Sequence, residues 1–223
     1  MNQLWHGDLT QLGSDIEARL VPMLSPLESE KLRRLKRSGR RKEYILSRAL
    51  MRMALSRQYK KPLRHWQFSE SPNAAPILLN PTDTPLFISL SHSGDCVMLA
   101  LSDQAVGLDV ERIEARKQTD SIARKVFTAE QQAYLKRLPE YQNKHYFYQL
   151  WTHKEALVKA MAGSIPSFQM ISSMAWPNHD FQIQHGVFGQ YALTLASKQA
   201  TQIFCQFDAI PFQQANPADF LSN

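Results

Sequence analysis

Val106-Gly107-Leu108-Asp109-Val110-Glu111 alternates with a period of two, which predicts a strand that sends Val106, Leu108 and Val110 to one face and Gly107, Asp109 and Glu111 to the other. On that second face the two carboxylates stand about 7 Å apart at the backbone and can converge. Like charges at this spacing repel unless a cation sits between them. Hard oxygen donors of this kind suit Mg²⁺, which keeps several waters and completes its shell with phosphate oxygens. The same spacing also describes the wet face of an ordinary amphipathic strand, and the hexapeptide alone leaves both readings open.

Upstream of this strand, Leu86 to Leu90 and Cys96 to Leu101 read as two strands joined through Ser93-Gly94-Asp95, after a stretch broken by Pro72, Pro76, Pro81 and Pro85. A helix from about Arg41 to Tyr59 carries Ile45, Leu46, Ala49, Leu50 and Met53 on one face beside a stripe of Arg41, Arg48 and Arg52. Before it, Ser25-Pro26-Leu27-Glu28 forms a capping box that opens a short basic helix expected to end near Gly39. Downstream, Thr128 and Gln131 form a second box that opens a helix through Leu138, and Tyr146 to Met161 reads as another helix after Pro139. Phe181 to Ile183, Tyr191 to Leu195 and Ile203 to Phe207 read as strands. The class is α+β. Arg48-Ala49-Leu50-Met51-Arg52 echoes Glu155-Ala156-Leu157-Val158-Lys159, each on a long helix. The echo permits two similar halves, 1–103 and 104–223, meeting at a cleft.

Composition sets bounds on function. The 223 residues are 43% apolar and 21% charged, without long Gly, Ser or Pro tracts, which fits a globular chain and speaks against a fibre or a disordered chain. No basic-then-apolar leader and no run of roughly 18 apolar residues appears, so a cytoplasmic protein with no membrane partner is expected. Cys96 and Cys205 lie in apolar strand-like runs, where they pack as small hydrophobes. The formal charge of +6 calls for an anionic partner. Its distribution says more, because Lys31 to Arg64 holds fourteen Lys and Arg against a single acid, Glu43.

Three further groups could carry chemistry. Trp151, Lys154, Glu155 and Lys159 share one broad side of a helix, while Leu150, Leu157 and Met161 point into packing. Glu155 and Lys159 equally form the i,i+4 pair of a merely solvated helix. Ser91-His92-Ser93 ends a strand at a glycine turn, where hydroxyls, an imidazole and amides can meet an anion, or simply form the turn. Glu130, just inside a helix start, reads as a dipole-stabilising acid.

In order, Ser91-His92-Ser93, Gly107-Leu108-Asp109-Val110-Glu111, Phe127-Thr128-Ala129-Glu130 and Trp151-Thr152-His153-Lys154-Glu155-Ala156-Leu157-Val158-Lys159 resemble the 4′-phosphopantetheinyl transferases of the surfactin-synthetase-activating type. The resemblance extends back to the Ser25-Pro26 helix and Ser56-Arg57-Gln58-Tyr59. It implies a pseudo-two-fold monomer of two α+β halves with coenzyme A in the cleft. It also implies Mg²⁺ on Asp109, Glu111 and Glu155, with Asp109, Glu155 and Lys159 catalytic. Ser91, His92, Lys154 and Lys159 are expected at the phosphates, and Lys31 with Arg48 and Arg52 toward the 3′-phosphate. The reaction implied is attack by a carrier-protein serine on the β-phosphate of coenzyme A, releasing adenosine 3′,5′-bisphosphate, with Glu155 or a water beside it taking the serine proton. The carrier is expected to be acidic and to meet Lys117, Arg124 and Lys125.

Two positions depart from the family pattern. Ala74-Ala75-Pro76 stands where many relatives have Gly-Lys-Pro, and Ala162-Gly163-Ser164 where they have Gly-x-Gly. Neither removes a metal ligand. A nucleic-acid partner is not expected, since the basic segment lacks interleaved aromatics and no zinc-finger or RNA-recognition motif appears. A Mg²⁺-dependent phosphodiesterase would use the same two acids and lysine, and differs in its product.

Overall fold

The structure is a computed structural model that describes residues 3–11, 16–69, 76–115, 119–162 and 180–198. Ala74, Ala75, Lys117, Gly163, Ser164, Cys205 and the strand expected at Ile203 to Phe207 lie outside the described residues. In chain order the elements are β1 (Gln3–Asp8), α1 (Ile16–Leu20), α2 (Pro26–Arg34), α3 (Ser38–Tyr59), β2 (Phe87–Ser93), β3 (Cys96–Ser102), β4 (Val106–Arg112), α4 (Thr119–Val126), α5 (Ala129–Arg137), α6 (Glu140–Ala162), β5 (Gln182–Phe188) and β6 (Tyr191–Ser197).

Both capping boxes form. Ser25 Oγ accepts the Glu28 N–H and the Glu28 carboxylate accepts the Ser25 N–H, and Thr128 and Gln131 do the same for α5. Helix α2 stops at Arg34, short of the expected Gly39, because Leu35 leaves the helix in an extended conformation and packs on the first core. Gly39 instead lies in the first turn of α3. Helix α6 starts at Glu140, six residues before the expected Tyr146. Pro139 accepts the first helical N–H, from Asn143, and Glu140 suits the positive end of the helix.

The strands form two antiparallel three-stranded sheets, ordered β1-β3-β2 and β4-β6-β5. Each sheet closes with a hairpin, β2–β3 pairing Ser93 with Cys96 and β5–β6 pairing Phe188 with Tyr191. Gly94 (φ 56°) and Gly189 (φ 57°) take the first position of these tight turns, where a type II′ hairpin needs a left-handed residue. Connectivity is the same in both units: a strand, a helical segment ending in a helix of 22 or 23 residues, then a hairpin whose second strand lies in the middle of the sheet.

Packing stacks four layers. Helix α3 buries Ile45, Leu46, Ala49 and Leu50 against Val97, Leu99 and Leu101 on one face of the first sheet. The opposite face, with Leu4, Cys96, Met98 and Ala100, meets Val106, Leu108, Val110, Leu193 and Leu195 of the second sheet. Helix α6 covers the far side of that sheet through Ala156, Leu157 and Ala160 on Ala196. Helices α4 and α5 close on the front half of α6 through Val126, Phe127, Leu135, Phe147 and Trp151.

Two expectations change here, and one reading left open is decided. The Gly107-Asp109-Glu111 face of β4 is not the wet face of an amphipathic strand: α6 covers it, and Asp109 is 2% exposed. Arg48 and Arg52 do not line a surface stripe; both are buried, along with the carboxylate of Glu28 that they grip. Met161, expected in packing, is exposed at the end of α6.

Candidate active site

Helix α6 crosses β4 at Gly107, where a Cβ would stand 1.9 Å from the Ala156 carbonyl oxygen and 2.5 Å from the Ala160 nitrogen. Only a glycine below and alanines above let the two backbones come this close. The consequence is functional, because the crossing sets Glu155 and Lys159 of α6 over Asp109, the next residue of β4 on the same face.

The other wall is β2, whose Ser89, Ser91 and Ser93 all point at the free edge of β4. Their hydroxyls accept the N–H groups of Leu108 (2.9 Å), Val110 (3.2 Å) and Arg112 (3.0 Å). Two of them donate onward, Ser91 to Asp109 Oδ1 at 2.8 Å and Ser93 to Glu111 Oε2 at 2.7 Å. Hydroxyls thus replace the backbone partners that an edge strand lacks, and at the same time fix both acids.

Lys159 enters from α6. Its ammonium donates to Asp109 Oδ1 (2.7 Å), Ser91 Oγ (3.2 Å) and the Leu108 carbonyl (3.1 Å). The Trp151 indole N–H donates to Glu111 Oε1 at 3.3 Å. Glu155 is half-buried beside these acids; burial first, then the charge of Asp109, pushes its carboxyl up to about 9, while Lys159 pulls the other way. Lys154, one residue earlier, is buried, and burial lowers its pKa.

His92 points to the opposite side of β2 from the serines and lies 3.0 Å from Glu43 Oε1 through Nε2. Burial lowers its pKa, against the pull of Glu43; Lys159 and Asp109 are near enough to act on it as well. Arg40 Nη1 lies 3.0 Å from the same Glu43 oxygen.

A divalent cation fits this donor set in one specific respect. Asp109 Oδ2 is buried with no hydrogen-bond partner among the described residues, and it shares its surroundings with Glu155, a carboxyl that burial first and the charge of Asp109 second keep protonated. A lone oxygen and a carboxyl deprived of its charge are what a small hard cation would relieve. No group of three or more His, Cys, Asp or Glu among the described residues forms a ready-made metal site. Mg²⁺ does not require one, since one or two carboxylates with waters and substrate oxygens suffice.

The structure brings together Ser91, His92, Asp109, Glu111, Glu155 and Lys159. It does not bring Arg48 and Arg52 to them. Arg48 Nε lies 3.2 Å from Glu28 Oε1, and Arg52 Nη1 lies 3.1 Å from the same oxygen. Lys31 lies over the Tyr44 ring at 5.4 Å, and Arg48 over the same ring at 4.7 Å. Sequence reasoning missed Ser89 as a partner of the β4 backbone and Ser93 and Trp151 as supports of Glu111. The serines had a signal, Ser-x-Ser-x-Ser at the strand period; the indole had its place on the Glu155 side of the helix, but not its partner.

Behind the acids, the row Asp109–Thr194–His185 crosses the sheet in register beneath α6. Thr194 Oγ1 lies 2.8 Å from Thr152 Oγ1 and 2.9 Å from His185 Nδ1, whose Nε2 is 3.2 Å from His153 Nδ1. Burial and the neighbouring His185 push His153 down to about 3.

Residues 105–208 match the family model described as the 4′-phosphopantetheinyl transferase superfamily. The chain is 34% identical over 149 residues to the 4′-phosphopantetheinyl transferase AcpT of Escherichia coli O157:H7, covering 66% of this chain and 70% of the relative. It is 30% identical over 172 residues to the 4′-phosphopantetheinyl transferase psf-1 of Bacillus pumilus, covering 76% and 67%. To the 4′-phosphopantetheinyl transferase Sfp of Bacillus subtilis it is 28% identical over 148 residues, covering 66% and 64%.

Proposed function

Because this chain belongs to the 4′-phosphopantetheinyl transferase superfamily, and is a transferase that moves phosphopantetheine onto carrier proteins, we propose that it does so with Mg²⁺ on Asp109, Glu111 and Glu155 and with coenzyme A laid between the two units. The observation that carries the reading is the buried, unpartnered Asp109 Oδ2, set beside the raised Glu155 carboxyl. When bound, Mg²⁺ supplies charge neutralisation for the pyrophosphate. We read the two units of like connectivity as related by a pseudo-two-fold axis, in a cytoplasmic monomer. Among the described residues no helix is long and apolar enough to cross a membrane.

In this reading each residue has a task. Lys159, already held between Asp109 and Ser91, stabilises the charge that grows on the phosphate leaving with adenosine 3′,5′-bisphosphate. His92 and Ser91 orient the pyrophosphate from β2, and Lys154 adds a positive charge behind it. Glu155 is held protonated by burial and by the charge of Asp109; with that charge offset by a bound cation it is ionised, and in that form Glu155, or a water beside it, accepts the proton of the attacking carrier serine. Ser93 and Trp151 keep Glu111 in place. Lys31 remains the candidate for the 3′-phosphate, whereas Arg48 and Arg52 are committed to Glu28 and act by holding α2 on α3. Arg124 and Lys125, in the last turn of α4, are read as contacts for an acidic carrier.

The test is incubation with coenzyme A, an apo-carrier and Mg²⁺, followed by intact-protein mass measurement and chromatography of the nucleotide. The expected result is a carrier heavier by one phosphopantetheine and release of adenosine 3′,5′-bisphosphate, both abolished by a chelator. Transfer that persists in the chelator removes the metal; cleavage of coenzyme A without a modified carrier points to the phosphodiesterase.

A further inference from the structure

The basic stretch from Lys31 to Arg64 contains one acid, Glu43, and the fold gives that acid a defined post. It lies in the second turn of α3, with Oε1 3.0 Å from Arg40 Nη1 and 3.0 Å from His92 Nε2, and with Oε2 3.3 Å from the same guanidinium nitrogen. One carboxylate therefore ties α3 to β2 at the residue next to Ser91. The side chains are 20% exposed for Glu43, 58% for Arg40 and 39% for His92, so the cluster stands at the rim and a ligand can reach it from solvent.

A helix-stabilising ion pair would need only Arg40 and Glu43, three residues apart on one helix. The imidazole from another element makes the arrangement different. A planar guanidinium and a ring N–H converging on one carboxylate oxygen form a donor set that an oxygen of a phosphate fills equally well. A dense positive field would otherwise bind any polyanion and release it slowly.

We propose that Glu43 is a built-in stand-in for a ligand phosphate: its carboxylate holds Arg40 and His92 at the rim of the site and yields them to a phosphate of the incoming nucleotide. Glu43 is then a specificity-determining residue. It weakens binding of polyphosphate ligands, substrate and bisphosphate product alike, and so hastens departure of the product. The inference rests on the reading of coenzyme A as the substrate at this site.

Calorimetric titration of coenzyme A and of adenosine 3′,5′-bisphosphate into wild type and Glu43→Gln, at fixed Mg²⁺ and salt, tests it. Both ligands should bind the variant about three- to fivefold more tightly, the range of a partly exposed ion pair. The KM for coenzyme A should fall without a rise in kcat, which a simple loss of helix stability would not produce. The gain should disappear when Glu43→Gln is made in a background of Arg40→Gln and His92→Gln. Unchanged or weaker binding by Glu43→Gln overturns the proposal, as does an equal gain in that background, which would mark a diffuse charge effect. Wild-type protein that binds no coenzyme A overturns the substrate reading as well, whereas wild-type binding with an unaffected variant overturns the inference alone.

Discussion

Asp109 carries the most at the scale of one residue, for it is at once a buried charge and a proposed ligand. Asp109→Asn should lose transfer by a hundredfold or more while the protein stays folded, as followed by turnover and circular dichroism. Lys159→Met leaves the buried carboxylate without its cation and should destabilise by about 3 to 5 kcal/mol. Adding Asp109→Asn to it should return part of that stability in urea unfolding, and a double variant less stable than Lys159→Met would show that the pair is not coupled. Gly107 is a packing device of the same site. Gly107→Ala drives a methyl into the Ala156 carbonyl and should cost at least the ~1 to 3 kcal/mol of ordinary overpacking, with turnover falling because α6 must lift away from Asp109. Asp109, Glu155 and Lys159 were legible in the sequence, by strand and helix period and by family pattern. Their burial was not, because the alternation of β4 fixes which residues share a face but not what covers it.

Among the elements, the joint between β2 and β4 separates structural from chemical roles. Ser89→Ala strands only the Leu108 N–H, about 1 to 3 kcal/mol, and should leave the KM for coenzyme A unchanged; Ser91→Ala loses the contact to Asp109 as well and should lower kcat. Helix α6 predicts a pH response through its rear face. An unfolded chain protonates His153 near 6.5, whereas the folded protein holds it neutral down to about 3, so the unfolded state binds more protons across that window. This contribution costs nothing above about 6.5 and erodes stability as the pH drops toward 3. Glu155 runs the other way: its raised value stabilises fully below 4.5 and is lost as the pH rises through about 9. Urea midpoints from pH 7.5 to 5 should therefore fall less steeply in His153→Gln than in wild type, and parallel slopes would exclude His153 as a source of the fall. Capped helices and strands were legible wherever Ser, Thr, Gly or Pro supplied a local signal. The front of α6, Glu140 to His145, was not, because its polar residues show no apolar period and are carried into the helix by the packing of Phe147 and Tyr148 behind them.

For the molecule as a whole, a net charge of +6 and a proposed acidic carrier imply assisted encounter. The carrier KM should rise with added salt at constant Mg²⁺, since exposed charges are screened beyond about 8 to 10 Å; a salt-independent KM would place carrier recognition in apolar contacts. Apart from the family resemblance, the like connectivity of the two sheets showed in the residues only as a five-residue echo, because connectivity is a property of strand pairing and long-range pairing leaves little trace in local sequence. Arg48 and Arg52 show the same limit in reverse: their helix face was legible, but the partner that claims them, Glu28, comes from another helix. The row of hydroxyls along β4 has a further consequence, in the protein's behaviour toward its own copies. A bare strand edge is a template on which a neighbouring molecule can lengthen the sheet, and repeated addition makes fibres. Here the N–H groups of Leu108, Val110 and Arg112 are spent on serines of the same chain, so those donors are not open to a stranger's strand.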